Sequence, residues 1–140
     1  MIEIFYKKDG QMMVSQSEAS LTEISYDSVV WIDLFSPSGE EKRAVETYLG
    51  TTIQNRAQAE EIEISSRFSE TEQAIFANTS FLIPGPEEYG EETVSFILKD
   101  NILTTLRESP LKSFTDLQRR LMAFPKMYES GHIAFLSILE

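Results

Sequence analysis

The chain has 140 residues, of which 12 are Lys or Arg and 23 are Asp or Glu, giving a formal net charge of −11. It has no cysteine and a single histidine, His132, which excludes disulfide frameworks, thiol chemistry and multi-histidine metal centres. The acidic balance opposes both nucleic-acid binding through phosphates and docking on an anionic membrane. With 41% hydrophobic residues, the length suits one domain, spanning 1–140, with a proper core.

The N-terminal segment Met1–Lys8 alternates apolar and polar residues and is not a basic region followed by an apolar signal core. No stretch approaches the roughly 20 apolar residues of a membrane helix, so a soluble, cytoplasmic chain is expected. Ile2, Ile4 and Tyr6 predict a strand, and Asp9-Gly10 a hairpin turn into Gln11–Ser15. Ser17–Ser25 has room for a short helical turn. Val29–Phe35 is almost continuously apolar, rich in β-branched and aromatic residues, and reads as a buried central strand.

Ser38 and Glu41 stand at capping-box spacing, and Ala44, Val45, Tyr48 and Leu49 give a helical stripe that Gly50 ends. Thr51–Phe68 reads as a second, more polar helix. Gln73–Ile83 and Glu92–Lys99 then flank the turn Pro84–Gly90 as an antiparallel pair, and Asp100-Asn101 leads into a further strand, Ile102–Arg107. Lys112–Phe124 is amphipathic through Phe114, Leu117, Leu121 and Phe124, and a last helix is expected to begin near Lys126. It stops uncapped inside the apolar run ending at Leu139-Glu140, as a fragment of a longer chain would. The fold class is α/β with α+β character: a mixed, largely antiparallel sheet covered by helices.

Catalysis finds little support. No nucleophile-elbow motif occurs, the six glycines are scattered, and His132, directly after Gly131, suits a surface or capping role. Asp33 sits in the middle of the apolar run Trp31-Ile32-Asp33-Leu34. The plain reading is that it alternates outward or caps the following turn; the sharper one is an acid aimed at an interface or an ion. Glu60, Glu61 and Glu63 form the densest acidic cluster, with Glu60 and Glu63 one turn apart on a helix. Hard divalent cations favour such carboxylate oxygens, although the spacing alone fits a solvated face neutralised by Arg56 and Arg67 better.

These motifs together resemble the cytoplasmic domain of CorA-type magnesium transporters. The resemblance lies in Trp31-Ile32-Asp33-Leu34 with Pro37 and Glu40-Glu41 opening a helix, in Glu60-Glu61-Ile62-Glu63-Ile64-Ser65-Ser66-Arg67-Phe68 leading into a strand, and in Phe96–Arg107 as a strand pair. It implies the N-terminal α/β/α domain of a pentameric channel for Mg²⁺, with Co²⁺, Ni²⁺ or Zn²⁺ as alternatives, on the cytoplasmic face of the membrane. Stalk, membrane helices and pore would lie beyond Glu140. It further implies that Glu60 and Glu61, supported by Glu63, are outer-sphere metal ligands between neighbouring subunits, with Asp33 a distant further candidate. This chain has Glu where an Asp is usual in the family, and the facing carboxylate would lie outside the chain. A free-standing soluble interaction module is the alternative.

Overall fold

The computed structural model describes residues 1–53, 68–71, 74–83 and 90–139. Their strands are β1 (Ile2–Lys8), β2 (Gln11–Ser15), β3 (Val29–Phe35), β4 (Phe68–Thr71), β5 (Ala74–Ile83), β6 (Gly90–Lys99) and β7 (Ile102–Arg107). The helices are α1 (Gly39–Leu49), α2 (Lys112–Ala123) and α3 (Gly131–Leu139), with single 3₁₀ turns at Glu18–Thr22, Tyr26–Ser28 and Pro125–Met127. The strands form one sheet in the order β2-β1-β3-β7-β6-β5-β4. Every neighbouring pair is antiparallel except β3 and β7, which run parallel with Asp33 opposite Thr105 and Phe35 opposite Arg107. The expected mixed, largely antiparallel sheet is therefore the one observed.

The tight turns follow from their residues. Asp9 and Gly10 both have positive φ, as do Asp100 and Asn101, which is the geometry of a two-residue type I′ hairpin. At α1, Ser38 Oγ accepts the Glu41 N–H while Glu41 Oε1 accepts the Ser38 N–H, completing the predicted capping box. Gly50 closes that helix in the left-handed region, and the Glu46 carbonyl accepts both the Gly50 and the Thr51 N–H.

Helices cover both faces of the sheet. On one face Phe114, Leu117 and Leu121 of α2 and Ala134 and Ile138 of α3 pack on Phe5, Trp31, Phe96 and Leu103. On the other, Val45 and Leu49 of α1, with Leu21, pack on Ile2, Ile4, Ile32, Leu34, Ile97 and Ile102. Strand β1 is thus covered on both faces: opposite Ile2 and Ile4, Phe5 stacks on Trp31 at 5.0 Å between ring centroids. A bulge where Phe5 pairs with Trp31 and Tyr6 with Val29 lets Val30 and Trp31 both join the α2 side.

Several boundaries differ from expectation. Residues 51–53 are not helical: Ile53 is buried, and its N–H donates to Glu46 Oε2 at 2.8 Å, which draws the chain back onto α1. Phe68 opens β4 rather than ending a helix, and 54–67 lie outside the described residues. Helix α2 ends at Ala123, leaving Phe124 57% exposed instead of in the core stripe. The last helix starts at Gly131, not near Lys126, because Pro125–Met127 takes a separate 3₁₀ turn. Gly131 approaches β7 so closely that a Cβ there would lie 2.2 Å from the Leu103 nitrogen. Its own N–H donates to the Asn101 carbonyl at 2.6 Å, so the helix begins where the backbone is pinned.

Candidate functional site

The most concentrated polar chemistry among the described residues lies at the carboxyl ends of the parallel pair β3 and β7. Asp33 is 1% exposed and Arg107 6%. Arg107 Nη2 donates to Asp33 Oδ2 at 2.8 Å, and its Nε lies 3.2 Å from Oδ1 and 3.3 Å from Oδ2. Thr105 Oγ1 donates to Asp33 Oδ1 at 2.8 Å and accepts the Trp31 indole N–H at 3.0 Å. The guanidinium is further sandwiched, 4.4 Å from the Phe35 ring centroid and 4.9 Å from that of Phe114. Arg107 Nη1 also donates to the Ser109 carbonyl, tying β7 to the approach of α2.

Register explains the assembly. Parallel pairing sets Asp33 beside Thr105 on the α2 side of the sheet, and the long Arg107 side chain reaches back from two residues further along the same face. Asp33 therefore neither points outward nor caps a turn, and its carboxylate faces Arg107 and Thr105. Its charge is met inside the protein by Arg107, a strand residue 74 positions away, while Trp31 and Ile32 are both buried on opposite faces. A bidentate, fully hydrogen-bonded pair of this kind is a structural element that holds β3 and β7 in register.

Glu92 of β6 is also buried, and its carboxylate accepts the Glu108 N–H at 2.6 Å and the Ser109 hydroxyl at 3.3 Å. The Met1 ammonium donates to the Phe35 carbonyl at 2.8 Å and pairs with Glu41 Oε1 at 3.1 Å. Partial burial works to raise the Glu41 pKa, but the hydrogen bonds from Ser38 and the Met1 ammonium outweigh it and hold the carboxyl below its usual range. The carboxyl ends of the central strands β3 and β7, the start of α1 and the approach to α2 are joined by these contacts.

The predicted metal ligands Glu60, Glu61 and Glu63 lie outside the described residues. Among the described residues no group of three or more His, Asp or Glu side chains is arranged to hold a metal ion. His132 is exposed on the first turn of α3. Sequence reasoning missed the Arg107 and Glu92 roles. The available signal was an arginine closing an apolar strand, the counterpart of an acid buried in another.

The fold has close counterparts. The soluble domain of CorA from Methanocaldococcus jannaschii superposes with a TM-score of 0.68 at 18% identity, covering 99% of this chain and 54% of that one. The full-length CmaX protein gives 0.65 at 11% identity, covering 99% and 43%. The architecture is thus that of the CorA soluble domain. Residues 26–140 match the family described as "CorA-like Mg2+ transporter protein", and the chain belongs to that family. The magnesium transport protein CorA of Wolinella succinogenes is 31% identical over 145 aligned residues, covering all of this chain and 45% of that protein. That of Pectobacterium atrosepticum is 36% identical over 86 residues, covering 61% and 27%. The chain therefore spans less than half the length of these curated relatives. Both are named for transport and not for an enzymatic reaction. No helix among the described residues is long and apolar enough to cross a membrane.

Proposed function

We propose that this chain is the ion-sensing regulatory domain of a CorA-like divalent-cation transport protein, working on the cytoplasmic face of the membrane beside neighbouring copies of itself in a pentamer. The observation that carries this reading is the family match over 26–140, supported by a likeness in fold to a CorA soluble domain. Transport belongs to the whole protein, and the ion is Mg²⁺ before Co²⁺, Ni²⁺ or Zn²⁺.

The proposed sensor ligands are Glu60 and Glu61, with Glu63 three residues beyond Glu60 in support. Carboxylates bind Mg²⁺ through its retained water shell, and a cation bridging acidic faces relieves the repulsion between subunits of net charge −11. If only the closed arrangement brings those faces together, cation binding becomes closing free energy. Coupling of about 1–3 kcal/mol per interface accumulates over several interfaces.

The test is charge reversal, Glu60→Lys with Glu61→Lys, in the full-length transporter. Closure should then require about tenfold more Mg²⁺ or more, the equivalent of at least ~1.4 kcal/mol in coupling. An unchanged Mg²⁺ dependence of flux would remove both residues from the sensor.

A further inference from the structure

The sheet of described strands ends in β2 on one side and β4 on the other. An edge strand offers a row of unpaired backbone N–H and C=O groups, and folded proteins blunt it with charge, proline or a bulge. Strand β4, Phe68-Ser69-Glu70-Thr71, carries such a charge in Glu70. Strand β2, Gln11-Met12-Met13-Val14-Ser15, has neither charge nor proline, in a chain where 25% of residues are charged. Its pairing with β1 runs in unbroken register from Gln11 to Ser15. Met13 is 38% exposed and Val14 41%, so this edge shows apolar side chains on both faces.

The polarity of β2 is symmetrical about Met13. An antiparallel second copy centred there sets Met13 opposite its own counterpart, Met12 opposite Val14 and Gln11 opposite Ser15, apolar on apolar and polar on polar. Opposite residues point to the same face, so Met12 and Val14 meet on the α2 side. There Val14 lines a groove of about 520 Å³ with Phe5, Met122 and Ala123, and Met122 is itself 46% exposed. The twofold axis sets the two grooves side by side. Charge favours the same arrangement. Two copies of net charge −11 repel over most of their surface, but no acid lies in the paired strands. The Lys7-Lys8 end of each hairpin is turned toward the end of the other where Glu3 stands beside Gln16.

We infer that β2 is a self-association edge: a second copy of this chain adds antiparallel to it across a twofold axis at Met13, joining two seven-stranded sheets into one. Main-chain hydrogen bonds between the two edges supply the affinity, and the apolar centre fixes the register. A twofold contact cannot close a ring of five. This edge therefore joins copies from separate assemblies and stands independently of the proposed pentamer and its cation sensor.

Analytical sedimentation of the whole chain over a concentration series tests it. A reversible monomer–dimer equilibrium is expected, tighter in about 0.15 M than in about 0.01 M NaCl because screening relieves the repulsion between copies. Met13→Lys sets two cations against each other at the axis and should weaken the dimer about tenfold or more. Far-UV circular dichroism establishes that the variant is folded, and Val14→Lys carries the same comparison should it not be. The chain has no cysteine, so an introduced one reports the register. Directly opposite residues have Cβ atoms about 4.5–5.5 Å apart, within reach of a disulfide, whereas residues two positions from the axis stand about 14 Å from their counterparts. Mild oxidation should therefore cross-link Met13→Cys and not Gln11→Cys. A chain that stays monomeric up to millimolar concentration would leave the edge to another kind of partner and overturn the inference. So would a dimer indifferent to both lysine variants, or one that cross-links as readily through Gln11→Cys.

Discussion

Removing one member of the Asp33–Arg107 pair leaves the other's charge buried without a partner, and that asymmetry sets the largest single-residue effect expected in this chain. Asp33→Leu or Arg107→Met alone should each cost about 3–5 kcal/mol in urea unfolding. The double variant replaces both charges by apolar groups and should lose far less than the sum, because no orphaned charge remains. Additive losses would mean that the two residues act independently, contrary to the 2.8 Å contact between them. This pair was only half legible beforehand. An acid inside Trp31-Ile32-Asp33-Leu34 was visible as an anomaly, but its partner depends on β3 and β7 lying side by side and in parallel. Nothing local to either residue encodes a pairing across 74 positions.

Features whose determinants are local were read correctly, while several boundaries set by contacts with neighbouring elements were not. Ser38, Glu41 and Gly50 marked both ends of α1, and the Asp9-Gly10 and Asp100-Asn101 turns fell where their residues tolerate positive φ. By contrast, the start of α3 is set by a contact with another strand. Gly131→Ala would drive a methyl group into the backbone at Leu103, so it should cost about 1–3 kcal/mol in thermal unfolding and speed amide exchange selectively in α3. Unaltered exchange in α3 would show that the helix is not held by this approach. The capping box carries a pH signature. Because Glu41 is held below its ordinary pKa of 4.5, its charged form contributes stability above that value and loses it as pH falls through the lower folded value. Wild type should therefore exceed Glu41→Gln by about 0.5–1 kcal/mol at neutral pH, with the gap closing in acid. A gap that persisted once the carboxyl is protonated would mean the advantage is steric and not ionic.

At the scale of the whole molecule, a charge of −11 on 140 residues makes ionic strength itself a stabilising variable, and a specific cation effect must be separated from it. Raising salt from 0.01 to 0.15 M shortens the screening length from ~30 to ~8 Å, which relieves self-repulsion whichever cation is used. In the proposed sensor the facing carboxylate belongs to a part of the protein outside this chain, which covers 45% of its Wolinella relative. The isolated chain should accordingly gain the same thermal stability from MgCl2 and NaCl at matched ionic strength. The full-length protein should gain more from Mg²⁺, by about 2.7 kcal/mol at a hundred times the dissociation constant, and Glu60→Gln with Glu61→Gln should erase that excess. If the isolated chain already responds preferentially to Mg²⁺, and the same substitutions abolish the preference, the ion is held within one chain. Bridging between subunits would then be wrong, and the link from cation binding to closure would have to run through a change of shape inside the domain instead of through the relief of charge between copies.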